Sequence, residues 1–145
     1  MDRLRLRAAA RIAMLLHDSG HAPFSHSSEA VMPQRKELGL PEWARGGPTE
    51  EQATHEDFTL MVILDSELTE VLREHYAAID LPPEAIGSLV AGRDAPRGPW
   101  FHAGGVDHGP LLRQVVSSEL DADRMDYLLR DSFYTGVNYR KYDLE

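Results

Sequence analysis

Residues 4–26, LRLRAAARIAMLLHDSGHAPFSH, carry both the fold class and the first sign of chemistry in this chain. Leu4, Ala8, Ile12, Leu15 and Leu16 recur at helical spacing and predict one apolar face, while Arg3, Arg7 and Arg11 form a separate cationic stripe. The helix is expected to stop near Asp18, because Gly20 suits a helix C-terminus and Pro23 cannot continue one. It has no N-cap signal, since Met1 already stands in helical register. Beyond it, three histidines (His17, His21 and His26) fall within ten residues. The adjacent His17 and Asp18 can point a neutral imidazole and a carboxylate into one cleft at the helix end, and both groups bind divalent metals. Taken alone, such a dipeptide is more often a surface pair. Gly20 and Pro23 force a compact turn that can gather the imidazoles, and Phe24 beside Pro23 argues for a packed loop.

The same period continues outward. A short helix is expected over Ser27–Met32, then a Gly- and Pro-rich loop over 33–48. Thr49 with Gln52 makes a capping-box signature for a helix running to about Asp65, with Phe58, Met61, Val62 and Leu64 as its apolar face. Glu67 to Ala77 reads as the next helix, with Leu68, Val71, Leu72 and Tyr76 turned inward. Asp80 is placed to cap another, whose first turn holds Pro82 and Pro83 and whose core face holds Ile86, Leu89 and Val90. Residues 92–110 form a second long loop. Trp43 and Trp100 are expected to anchor the loops, and His75, His102 and His108 to be surface or loop residues. A final helical stretch runs from about Leu111 to Tyr134, with a break near Ser117 and Ser118, and ends at Gly136. No strand alternation is sustained, so the fold class is all-α.

Composition narrows the function classes. The chain has 145 residues, 42% hydrophobic and 27% charged, as soluble globular domains do, and no apolar run approaches a bilayer span. A secretory leader is not expected: Arg11 interrupts the apolar opening, and HDSGH is no cleavage site. There is no cysteine, which excludes disulfides and thiolate chemistry and fits a cytoplasmic setting. With 15 basic and 24 acidic residues the net charge is −9, which opposes binding to nucleic acid or an anionic membrane. A small phosphorylated ligand remains compatible if cations gather in one pocket.

The second segment of interest is SSELDADRMDYLLRDSFYTG, residues 117–136. On a helix, Asp123, Asp126 or Tyr127, Arg130 and Tyr134 share one face, while Leu120, Met125, Leu128 and Leu129 are core-like. A solvated stripe with an Asp126–Arg130 ion pair explains the charges equally well. The two tyrosines count against that, because tyrosines usually pack.

LLHDSGHAPFSH (15–26) and SSELDADRMDYLLRDSFYTGVNY (117–139) strongly resemble the HD-domain phosphohydrolases, most of all the deoxynucleoside triphosphate triphosphohydrolase branch. The resemblance implies an HD-domain helical bundle. It also implies a divalent metal (Mn, Mg, Fe, Co or Zn) held by a first His, a His-Asp doublet and a distal Asp. By position the doublet is His17 and Asp18 and the distal residue is Asp123, with Asp121 and Asp126 as near misses. The family's first His lies upstream of the doublet, and no histidine precedes His17. Residues 1–145 are therefore expected to be a partial HD domain that lacks the upstream helix bearing that ligand.

By the same resemblance His21 and His26 line the phosphate cleft, and Glu29 orients a catalytic imidazole. His55 acts on the leaving group, Arg124 contacts phosphate, and Tyr127 and Arg130 line or brace the pocket. Asp131 is placed to hold Arg130, and Tyr134 is a candidate nucleoside contact. The reaction implied is hydrolysis of a deoxynucleoside triphosphate to a deoxynucleoside and triphosphate, with a homo-oligomer as the working state. Some relatives take a nucleotide or single-stranded DNA effector, on which the sequence bears neither way. Two alternatives accompany this reading. One is an HD-domain hydrolase of a monophosphate, cyclic nucleotide or alarmone. The other is a catalytically incomplete HD domain that binds a nucleotide or a partner.

Overall fold

A computed structural model describes residues 2–95, 98–119 and 121–137. Helix α1 spans Asp2–Leu16, α2 His55–Leu64, α3 Glu67–Tyr76, α4 Pro83–Val90, α5 Gly109–Val116 and α6 Ala122–Thr135. A two-residue antiparallel hairpin pairs β1 (His102–Ala103) with β2 (Val106–Asp107). The fold is helical, as the periodicity predicts. None of the described helices is long and apolar enough to cross a membrane.

Helix α4 is the hub. It packs against α1, α2, α3 and α5, and seven of its eight residues are buried, Glu84 being the exception. Leu60 and Ile63 of α2, Ile86 and Leu89 of α4 and Val116 of α5 form the core with Leu81 and Phe101. Leu64, Leu60 and Trp43 close around Gly87, where a methyl group would stand 3.4 Å from the first and 3.5 Å from the other two, ordinary van der Waals contact. Trp43 and Trp100 both pack on the core from the loops, as expected of anchors.

Several boundaries and faces differ from the sequence reading, each for a local reason. Thr54, not Thr49, caps α2, with Asp57 completing the capping box. Residues 49–53 are engaged elsewhere: the Thr49 and Glu51 carbonyls accept from the Lys36 and Arg35 amides, and the Ala53 amide donates to the Pro33 carbonyl. Asp80 does not cap α4 but ends the 3-10 turn Ala77–Ile79 in the left-handed region, φ 52°, its amide donating to the Ala77 carbonyl. Pro82 is extended because Pro83 follows it, so α4 begins only at Pro83. The loop over 33–48 contains 3-10 turns at Arg35–Leu38 and Glu42–Ala44, and the expected Ser27–Met32 helix is a 3-10 turn over Ser25–Val31. The loop over 92–110 holds the hairpin and gives way to α5 at Gly109.

Two apolar faces hold in part: Ala8, Ile12 and Leu16 of α1 and Leu68, Leu72 and Tyr76 of α3 pack on the core as the periodicity predicts, while other positions depart. In α1 the fully buried residues are Ala9 and Ala13, whereas Leu15 is 76% exposed and Leu4 58%. Alanines on the inner face shorten the approach of α1 to its neighbours. In α3 Leu72 is buried but Val71 is exposed. The break near Ser117 and Ser118 separates α5 from α6, and Gly136 ends α6 at φ 68°. Leu120, expected in the core, lies outside the described residues.

Candidate functional site

The doublet turn and the first turn of α2 build the site together. Where α1 ends at Leu16 the chain turns tightly, and Gly20 settles onto the α2 backbone. A Cβ at position 20 would lie 2.1 Å from the His55 carbonyl oxygen and 2.3 Å from the Thr59 amide nitrogen, so no residue with a side chain fits. Thr59 fastens the same contact. Its hydroxyl donates to the His17 carbonyl at 2.9 Å and accepts from the Gly20 amide at 3.0 Å.

These contacts bring four imidazoles and two carboxylates together. His17 Nδ1 lies 2.7 Å from the Met14 carbonyl oxygen, which can only accept, so Nδ1 is the donor there and Nε2 is the nitrogen left facing the doublet. That Nε2 is 3.4 Å from Asp18 Oδ2. Asp18 Oδ1 is 3.8 Å from His21 Nε2 and 3.9 Å from His55 Nε2. Glu29 Oε1 accepts from His55 Nδ1 at 2.6 Å, from the His55 amide at 3.2 Å and from His26 Nδ1 at 3.2 Å. The rings of His21 and His55 stack at 3.9 Å, and His26 stands edge-on to both. A small cleft lined by His17, Asp18, His55, Val90 and Val116 opens beside them, where the ends of α4 and α5 meet the site.

The electrostatics follow from these neighbours. The hydrogen bond from His55 pulls the Glu29 carboxyl down to about 2 from 4.5, against the opposing effect of burial and with further help from the His55 amide and His26. Burial lowers the pKa of His21, and the adjoining His55 and His26 lower it further, while Asp18 and Glu29 oppose. Among the described residues, His21, His26 and His55 are the group whose donor atoms all lie within 4.8 Å of one another. Imidazole nitrogens beside a carboxylate suit a borderline divalent ion, and with His17 Nδ1 donating to Met14, Nε2 is the nitrogen left to bind one. The histidine cluster could therefore hold a metal.

Phe24 does not pack as its composition suggested. It is 88% exposed, in the left-handed region at φ 71°, and the turn closes through Gly20 and the histidines instead.

Helix α6 carries the remaining expected residues. It packs on α5 and buries none of its own residues. Asp121 is its N-cap, accepting from the Arg124 amide at 2.8 Å. Asp123 is exposed and, among the described residues, belongs to no cluster of ligating atoms with His17 and Asp18. Arg124, also exposed, lies 4.0 Å from Asp121 and donates to the Glu119 carbonyl. Arg130 is held by Asp126 at 2.8 Å, not by Asp131, which is the ion pair that a solvated stripe predicts. Tyr127 is half-buried, and Tyr134 is exposed, edge-on to Phe133.

The sequence reading missed Thr59, Asp57 and Arg35. Asp57 is fully buried and accepts from the Thr54 amide, the Gly46 amide and Arg35 Nε at 2.9, 3.1 and 2.8 Å. The Thr-x-x-Asp pattern at 54–57 was the available signal, since it marks the first turn of the helix that begins at His55.

The chain resembles proteins much longer than itself. It is 35% identical over 134 residues to an uncharacterised Bacillus subtilis protein, YwfO, a match covering 92% of this chain and 23% of the relative. It is 31% identical over 140 residues to an uncharacterised Mycoplasma pneumoniae protein, the MG461 homolog, covering 92% and 26%. A Dictyostelium discoideum protein named deoxynucleoside triphosphate triphosphohydrolase SAMHD1 homolog is 31% identical over 133 residues, covering 87% and 20%. The chain thus spans 20% to 26% of the length of these curated relatives. No family model and no solved structure matches it.

Proposed function

We propose that this chain carries the catalytic face of a metal-dependent nucleotide phosphohydrolase of the HD-domain type, converting a deoxynucleoside triphosphate to a deoxynucleoside and triphosphate. The observation that carries the reading is the relay from Glu29 through His55 toward Asp18, on a chain similar to a protein named for this activity. His17, Asp18 and Asp123 are the assigned metal ligands. A divalent ion there screens the phosphate charge and makes a water molecule more acidic.

His55 is the general acid. Its Nδ1–H donates to Glu29, which fixes the ring and leaves Nε2–H toward the cleft; as water attacks phosphorus and releases its proton to solvent, the Nε2 proton passes to the departing sugar oxygen. His55 then recovers a proton from solvent. His21 and His26, beside His55, donate to phosphate oxygens. Arg124 adds positive charge from α6, Tyr127 and Arg130 line that side, and Tyr134 meets the nucleoside. The working protein is a cytoplasmic homo-oligomer.

The test is incubation with each deoxynucleoside triphosphate, and with monophosphates, cyclic nucleotides and alarmones, in Mn or Mg, resolving triphosphate from phosphate. Release of triphosphate is expected. Turnover of only another class moves the substrate assignment, and no turnover of any phosphorylated compound with any metal ends the enzyme reading. Asp123→Ala is expected to strip the metal, and unchanged metal content shows that another residue holds it. The exposed position of Asp123 favours one second reading, a domain that binds nucleotide without hydrolysing it. Retained nucleotide binding by a metal-free chain identifies that case.

A further inference from the structure

We infer that Thr59 is a positioning residue, the hydroxyl that fixes the His-Asp turn against the helix bearing His55. This rests on the proposed hydrolase for its kinetic consequence, though not for its structural one.

The doublet and His55 meet without a short bond between their own side chains. Asp18 and His55 approach only to 3.9 Å, beyond hydrogen-bonding distance. Their relative placement comes instead from the backbone contact between the turn and α2. Thr59 is fully buried there, one helical turn after His55. A threonine inside a helix commonly spends its hydroxyl proton on the carbonyl four residues back, which here belongs to His55. Thr59 instead donates to the carbonyl of His17, a residue of the doublet, and accepts from the amide of Gly20. A hydroxyl is the side-chain group that can do both at one atom, and the β-branch restricts its rotamer. Gly20 makes the contact close enough for both bonds.

Removing the hydroxyl leaves a carbonyl and an amide without partners at a backbone junction, and the turn moves to find water. Asp18 and His21 then shift away from His55, while Glu29 continues to hold His55 from the other side. The chemistry loses alignment, but the fold core around α4 does not.

The experiment compares Thr59→Val and Thr59→Ala with Thr59→Ser in the purified chain. Ser88→Ala serves as a control that deletes another buried hydroxyl, one bonded within α4. Two readouts are taken. The first is the nuclear Overhauser effect between the His21 and His55 rings, which does not depend on activity. It is expected to weaken or vanish in Thr59→Val and Thr59→Ala and to persist in Thr59→Ser and Ser88→Ala. The second is steady-state hydrolysis, with kcat expected to fall roughly tenfold to a hundredfold in the two hydroxyl-deleted variants at nearly unchanged KM. Serine is expected to restore kcat to within about threefold.

An unchanged ring–ring signal in Thr59→Val or Thr59→Ala overturns the assignment, as does equal weakening in Thr59→Ser. If Thr59→Val does not fold, Thr59→Ala and Thr59→Ser decide the matter in the same way. A ring–ring signal that responds as expected in a chain that hydrolyses no nucleotide upholds the positioning role and discards the hydrolase reading alone.

Discussion

At the scale of single residues, Glu29 and Gly20 make the sharpest claims. Glu29 is a carboxylate with three donors on one oxygen, and its folded pKa of about 2 lies below the ordinary 4.5. A group depressed on folding stabilises the folded state above its unfolded pKa and loses that contribution as pH falls toward the folded value. The stability difference between wild type and Glu29→Gln should therefore be widest above 4.5 and shrink steadily down to about 2. Thermal unfolding across that range measures it, and a difference that ignores pH refutes the carboxylate–imidazole bond. Gly20→Ala is a steric test of the same junction. The added carbon meets backbone atoms of α2 at 2.1 and 2.3 Å, and backbone cannot rotate aside as a side chain can. We expect a loss of at least about 1–3 kcal/mol, typical of overpacking, read from denaturant midpoints. A loss too small to measure means that the turn and α2 do not meet in this way.

At the scale of elements, the first turn of α2 depends on a buried ion pair. Burial alone raises the pKa of Asp57, yet the Thr54 and Gly46 amides and Arg35 outweigh it and hold the carboxyl below its ordinary value. Burial likewise works against the charge on Arg35, and Asp57 and Glu51 overcome it. Removing one partner strands the other charge, so Asp57→Ala should cost about 3–5 kcal/mol. The double variant Arg35→Met with Asp57→Leu should cost clearly less than the two single changes added together, and simple additivity in denaturant unfolding counts against the pair. This element also shows where sequence patterns stop informing. Both Thr49-x-x-Gln52 and Thr54-x-x-Asp57 satisfy the capping rule. The choice is made by the strand-like pairing of residues 33–36 with 49–53, a tertiary fact with no local signature. The apolar period found α1 through α4, but it could not foresee that small Ala9 and Ala13 face inward while Leu15 faces out. Hydrophobicity ranks Leu above Ala, whereas close helix packing reverses that order.

At the scale of the whole molecule, the legible half of the site is the local half. HDSGHAPFSH gathers its imidazoles because Gly20 and Pro23 leave the chain little choice, and Glu29 of the following 3-10 turn ties them to His55 of α2. Asp123 is a different case, because its place depends on how α6 docks, and α6 packs mainly on α5 with none of its described residues buried. Apolar side chains remain uncovered accordingly: Leu4 and Leu15 on α1, and Phe133 and Val137 in and beyond α6, are all exposed. Solvated leucine and phenylalanine surface of this extent favours association, at about 25 cal/mol for each Å² removed from water. The chain alone should therefore behave as a species larger than 16.3 kDa in light scattering, with a mass that grows with concentration. Leu15→Glu, which places charge at an exposed position of α1, should shift it toward the monomer and leave the stacking of His21 on His55 in place. A monodisperse monomer at high concentration contradicts association through these surfaces. Unstacking of the two rings in Leu15→Glu would instead mean that the face of α1 and the histidine turn are not independent, as the present packing has them.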